Sequence, residues 1–106
     1  MRELRPREAA ERLAGPEPPL VLDVREAWEY ALCHLDGAVL IPLRELPAQA
    51  GSLDPDREIL VVCHHGIRSR LACRYLEQEC GFHRLINLAG GLDAWAREVD
   101  PHMPTY

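Results

Sequence analysis

Lysine is absent from this chain: all twelve basic residues are arginine, and asparagine occurs once and glutamine twice. That bias fits a GC-rich or thermophilic source. Also missing is any apolar run long enough to cross a bilayer, and the opening stretch "MRELRPREAAERLAG" has no apolar segment of the kind a signal peptide needs. The expectation is a cytoplasmic protein with no membrane partner. The four cysteines, Cys33, Cys63, Cys73 and Cys80, lack the dense spacing of a secreted disulfide framework and are expected to be thiols. There is no internal repeat, low-complexity tract or linker-like shift in composition, so residues 1–106 read as a single domain. A net charge of −5 argues against a nucleic-acid partner. Arg68, Arg70 and Arg74 nevertheless cluster just after Cys63, which predicts a locally positive field there.

What is present is an alternation of helical and strand patterns. "RPREAAERLA" carries a proline suited to a first helical turn, followed by Ala and Leu on one face. "PLVLDV" is a short apolar run bounded by prolines and charge, hence a buried strand. "EAWEYAL" reads as a short helix, "GAVLIP" as a strand closed by Pro42, and "LRELPAQAG" as broken helical turns. "EILVVC" is a third strand, rich in β-branched residues. "IRSRLACRYLEQECG" is the longest helix, stopped at Gly81; "RLINLAG" is a fourth strand and "GLDAWAREV" a last helix. Strands apolar on both faces and separated by helices imply an α/β fold with a parallel sheet covered on both sides. Trp28 and Trp95 are expected in its core.

In such sheets ligands sit beyond the carboxyl ends of strands, and Cys63 stands at that end of the third one. A thiol is a nucleophile only as thiolate, and moving a cysteine pKa from about 8.5 to about 7 takes roughly 2 kcal/mol of preferential anion stabilisation. A helix N-terminus contributes up to about 2 kcal/mol in a partly buried geometry. Backbone N–H groups of "HHGIRS" curled around the sulfur would add hydrogen bonds, and Gly66 permits the tight curl. No separate general base is required. Cys33, Cys73 and Cys80 have no such loop after them and read as packing residues.

"VVCHHGIRSR" resembles the active-site loop of the rhodanese family, Cys-x-x-Gly-x-Arg-Ser/Thr. "LVLDVREAWEY" resembles the family's early Asp-Val-Arg segment, "CHLDGAVLIPL" follows it, and "NLAGGLDAW" resembles its late Gly-Gly-x-x-Ala-Trp segment. The resemblance covers nearly the whole chain in order. It implies an open five-stranded parallel sheet flanked by helices on both faces, and sulfur transfer through a persulfide on Cys63. No cofactor is implied. His64, His65, Gly66, Ile67, Arg68 and Ser69 would form the substrate-binding anion loop, with Arg68 closing it. Asp23 and Arg25 would brace the site from behind, or form a plain strand-end ion pair. Gly90 and Gly91 read as tight-turn glycines. The implied partners are small sulfur donors such as thiosulfate and thiophilic acceptors such as cyanide. The ending "GGLDAWAREVDPHMPTY" resembles rhodanese domains fused to adenylyltransferases that feed sulfur-carrier proteins, which would make such proteins partners too.

Three rival readings use the same residues. Phosphatases and arsenate reductases place five residues between cysteine and arginine, whereas four separate Cys63 from Arg68, giving a cradle sized for sulfur rather than phosphoryl. A metal site would draw on Cys33-His34, Cys63-His64-His65 or Cys80-x-x-His83, none of which has paired ligand spacing, so no metal is expected. His64 and His65 instead line the pocket mouth and favour anionic donors when protonated, or are merely exposed. A non-catalytic binding module of the same family would lack the cysteine that this chain retains. With no second domain over it, the site is expected to be open to a protein-borne persulfide.

Overall fold

A computed structural model describes all 106 residues. Five strands, β1 (Arg2–Leu4), β2 (Leu20–Asp23), β3 (Val39–Leu40), β4 (Ile59–Val62) and β5 (Leu85–Leu88), form one sheet in the order β1-β5-β4-β2-β3. Every pairing is parallel. The helices are α1 (Pro6–Leu13), α2 (Ala27–Leu32), α3 (Leu46–Gln49), α4 (Ile67–Cys80) and α5 (Gly91–Glu98), with 3-10 turns at Leu43–Glu45 and Ala50–Ser52. The alternation expected from the hydrophobic pattern is therefore present. Periodicity missed only β1, three residues of which Leu4 alone is buried, although the resemblance implied a fifth strand. The second expected strand shrinks to the two residues of β3.

Because successive strand residues face opposite ways, each strand feeds two cores. Ile59, Val61 and Cys63 join Leu22, Val24, Ala72, Cys73 and Leu76 on the face covered by α3 and α4. Leu60 and Val62 join Val21, Ile86, Leu88, Leu92 and Trp95 on the face covered by α1 and α5. Trp95 thus lies in the core as expected. Trp28 does not: it is 62% exposed, on the outer side of α2, with its ring edge-on to Tyr106 at 5.7 Å. An apolar residue in a six-residue helix has too little neighbouring structure to be covered from both sides.

The strand order places the reversal of chain direction beside β4. From β2 the chain steps outward to β3, then returns across β2 to β4 and continues to β5. The crevice at the carboxyl ends of β2 and β4 is where such sheets hold ligands. It is flanked by the start of α2 and the start of α4. Cys63, the first residue after β4, stands at its floor.

Candidate functional site

The loop from Cys63 to Gly66 is built to turn N–H groups toward the sulfur. Gly66 has φ of 93°, a conformation glycine adopts without strain, and α4 begins immediately after it. A Cβ at this position would sit 3.2 Å from both the Leu88 carbonyl oxygen and the Gly90 nitrogen. Gly66 N–H donates to Cys63 Sγ at 3.1 Å and Ser69 N–H donates at 3.3 Å. Ser69 is the third residue of α4, whose N–H a capping side chain would ordinarily satisfy. Gly66 has no side chain, so the sulfur caps the helix instead. Of the amides expected to form the cradle, from His64 to Ser69, these two reach the sulfur. Their positive ends and the helix N-terminus both favour negative charge there.

The carbonyls of this loop point the other way and are held by α5. Leu92 N–H donates to Cys63 O at 2.9 Å, and Asp93 N–H donates to His64 O at 3.0 Å. These are first-turn N–H groups of α5, otherwise without helical partners. The fit demands glycine: a Cβ on Gly91 would lie 2.3 Å from the His64 carbonyl oxygen. Gly90 and Gly91 (φ 78° and 64°) are turn glycines, as expected, but they also shape the loop by letting α5 approach it.

Ser69 Oγ lies 3.2 Å from Sγ and donates its proton to Asn87 Oδ1 at 2.5 Å. Asn87, fully buried on β5, is oriented by its own Nδ2 donations to the Glu3 carboxylate and to Gly66 O, each 3.2 Å. With its proton committed to Asn87, the Ser69 hydroxyl offers Sγ a lone pair and accepts from the thiol. On ionisation it has to turn to donate. Nothing in the sequence pattern singles out Asn87, because an amide in the middle of an apolar strand reads only as a break in that strand.

Arg68 closes the site differently from expectation. Its guanidinium makes a two-pronged ion pair with Glu29 of α2, Nη1–Oε1 at 2.7 Å and Nη2–Oε2 at 2.8 Å, which spans the crevice. Hydrogen bonding from Arg68, which outweighs burial, lowers the Glu29 carboxyl from its ordinary 4.5 to about 2. Tyr106 OH donates to Glu29 Oε2 at 2.7 Å and accepts from Arg25 Nη1 at 2.9 Å. Burial and the Glu29 carboxylate push that phenol up to about 12, so it remains a donor. Glu29 and Tyr106 were invisible to motif reading, since a glutamate in a short amphipathic helix and a terminal tyrosine carry no signature.

Asp23 and Arg25 form an ion pair with side chains wholly out of solvent, Nη2–Oδ2 at 2.7 Å and Nε–Oδ1 at 2.9 Å. Arg25 Nη2 also donates to Cys33 O at 2.7 Å. Burial lowers the guanidinium's affinity for its proton, but the bonds to Asp23 and Tyr106 outweigh it and the net shift is upward. The pair therefore fixes the α2 segment and, through Tyr106, supports Glu29. It makes no hydrogen bond to Cys63 or the loop.

Two of the three arginines expected to set up a positive field are neutralised by ion pairs, and exposed Arg74 has none. Arg70 pairs with Glu3 (3.0 Å), and Arg68 with Glu29. Burial, then repulsion from His65, lowers the His64 pKa below its ordinary 6.5, which favours the uncharged imidazole. Its ring stacks on Tyr106 at 4.1 Å and its Nδ1 has no hydrogen-bond partner. His65 is exposed. His64, His65 and Asp93 bring ligand atoms within 4.8 Å of one another, the grouping of side chains here that suits a cation, although Asp93 is already engaged by Arg97. The Cys33-His34 and Cys80-x-x-His83 pairs join no such group. Cys63 itself is 1% exposed, sunk between its amides.

Comparison with known proteins agrees with this architecture. A family model described as rhodanese-like domain matches residues 5–98. A sulfurtransferase of Allochromatium vinosum is 37% identical over 92 residues, spanning 87% of this chain and 85% of its own length. The adenylyltransferase and sulfurtransferase uba4 of Ogataea parapolymorpha is 34% identical over 102 residues, 94% of this chain but 26% of that longer protein. The crystal structure of a rhodanese-like domain protein from Staphylococcus aureus has a TM-score of 0.84 at 27% identity, covering 100% of this chain and 99% of its own.

Proposed function

The chain belongs to the rhodanese-like family, and from that premise we propose that it is a sulfurtransferase that carries a sulfane sulfur on Cys63. In the first step the Cys63 thiolate attacks the outer sulfur of a donor such as thiosulfate or a persulfide. A bond forms between the two sulfurs, the donor's S–S bond breaks, and sulfite or a thiolate departs with the electron pair. In the second step an acceptor (cyanide, a thiol or a sulfur-carrier protein) attacks the outer sulfur and Cys63 leaves as thiolate. No net oxidation is required in either step. The observation that carries this reading is the pair of backbone N–H groups on Sγ at the start of α4, which favour the anion needed for attack and for departure. Relatives named adenylyltransferase and sulfurtransferase, and one named as a sulfur carrier protein, support a relay to a carrier protein.

Phosphoryl or arsenate chemistry is disfavoured by geometry as well as by spacing. A tetrahedral oxyanion needs the loop guanidinium turned toward the cradle, and Arg68 is turned to Glu29. The test is formation of thiocyanate from cyanide with thiosulfate and with a thiol persulfide as donors. Cys63→Ala and Cys63→Ser are expected to abolish turnover with both. Retained turnover in either variant would remove Cys63 from the mechanism.

A further inference from the structure

We infer that Glu29 is a specificity-determining residue: by holding the Arg68 guanidinium, it leaves the mouth without a free cation and discriminates against doubly charged sulfur donors. This rests on the sulfurtransferase reading above. The charges around the crevice are largely paired. Asp23 meets Arg25 beneath the surface, Glu29 meets Arg68 and Asp93 meets Arg97; the unpaired guanidinium on α4, Arg74, is exposed six residues beyond Arg68 along the helix. Glu3 and Arg70 form a fourth pair beside the loop. Burial disfavours the charged form of His64, and exposed His65 lies 3.8 Å from Asp93.

The Arg68–Glu29 pair is no loose surface contact. The Glu29 side chain is 4% exposed, both its oxygens are bonded to Arg68, and Tyr106 and the Glu26 backbone N–H add further donations. Tyr106 is itself braced by buried Arg25. Releasing Arg68 toward a donor would strand this carboxylate in a largely desolvated place. A dianion such as thiosulfate has to approach a molecule of net charge −5 with only the neutral amides to receive it. A persulfide on an uncharged thiol carries at most one charge, borne on the sulfur that the amides already address. The atoms transferred are the same for both: Sγ gains one sulfur, and sulfite or thiolate leaves.

The experiment compares persulfide formation on Cys63, followed by intact mass in single turnover, with thiosulfate and with 2-hydroxyethyl persulfide. Glu29→Gln keeps the shape and removes the charge that holds Arg68. The ratio of the thiosulfate rate to the persulfide rate is expected to rise about tenfold, the size of one charge-assisted hydrogen bond to a freed guanidinium. A rise of less than about threefold in that ratio overturns the inference, and any larger rise supports it. Should Glu29→Gln fail to fold, the native protein decides the matter through its salt response. Its thiosulfate rate is expected to fall less than about threefold between about 0.05 and about 0.5 M sodium chloride, whereas a steeper fall reveals a free cation at the mouth and overturns the inference. If neither donor loads Cys63 in the native protein, it is the sulfurtransferase reading that fails.

Discussion

Removing both members of the Asp23–Arg25 pair should destabilise the protein much less than the two single losses summed. Both side chains are fully buried, and Asp23 accepts from the Arg25 backbone N–H, Nε and Nη2. Arg25→Met leaves the Asp23 carboxylate desolvated with only that backbone donor, and Asp23→Leu leaves a guanidinium bonded only to the neutral acceptors Tyr106 OH, Glu29 O and Cys33 O. Stranding one charge of a buried pair costs about 3–5 kcal/mol. A domain of this size has about 5–15 kcal/mol of stability in all, so each single change should be severe, lowering the melting temperature by more than about 10 °C. The double variant Asp23→Leu/Arg25→Met buries no charge, though it still orphans the Cys33 and Glu29 carbonyls. It should be more stable than the two single losses summed, with a coupling of about 2 kcal/mol or more. Urea denaturation of the four proteins measures this. Single losses that add to within about 0.5 kcal/mol would show that the pair acts as two independent residues, and the argument from burial would be wrong.

Acid should weaken the protein through Glu29. Its carboxyl is lowered from 4.5 to about 2 chiefly by Arg68, so its contribution is complete above pH 4.5 and is lost as pH falls toward about 2; Glu29→Gln should flatten that limb of a stability–pH curve. Gly91→Ala should cost more than about 2 kcal/mol in urea denaturation, because the new Cβ meets His64 O in a left-handed backbone, while Gly51→Ala, with open space around it, should cost little. Cys73, fully buried with its thiol pushed up to about 12 by burial, should resist iodoacetamide at pH 8 in the folded protein and label on unfolding, as peptide mass spectrometry would show.

What could be read from the chain was whatever depends on local rules. A β-branched run into Cys63, a glycine, and a long amphipathic segment ending at Gly81 specify strand, tight loop and helix, and each is found where the pattern put it. The parallel sheet follows from strands apolar on both faces. What escaped depends on contacts between distant parts of the chain. β1 exists because Arg2–Leu4 finds the open edge of β5, and its own pattern is too short to announce a strand. The positive patch inferred from Arg68, Arg70 and Arg74 shrinks to Arg74 because Glu29 and Glu3, 39 and 67 residues away, fold against the other two. Asn87 matters only because β5 sets it beside Ser69. Trp28 was misplaced because hydrophobicity alone does not say which side of a short helix is covered.

The most direct test of the central claim is the intact mass of the native protein after exposure to a sulfane-sulfur donor. The account predicts a gain of one sulfur atom, reversed by cyanide, mapped to the peptide that contains Cys63 and absent from Cys63→Ala. A variant with Cys33, Cys73 and Cys80 replaced should gain it as the native protein does. A sulfur found on any cysteine other than Cys63, or a Cys63→Ala protein that still loads, would contradict the account.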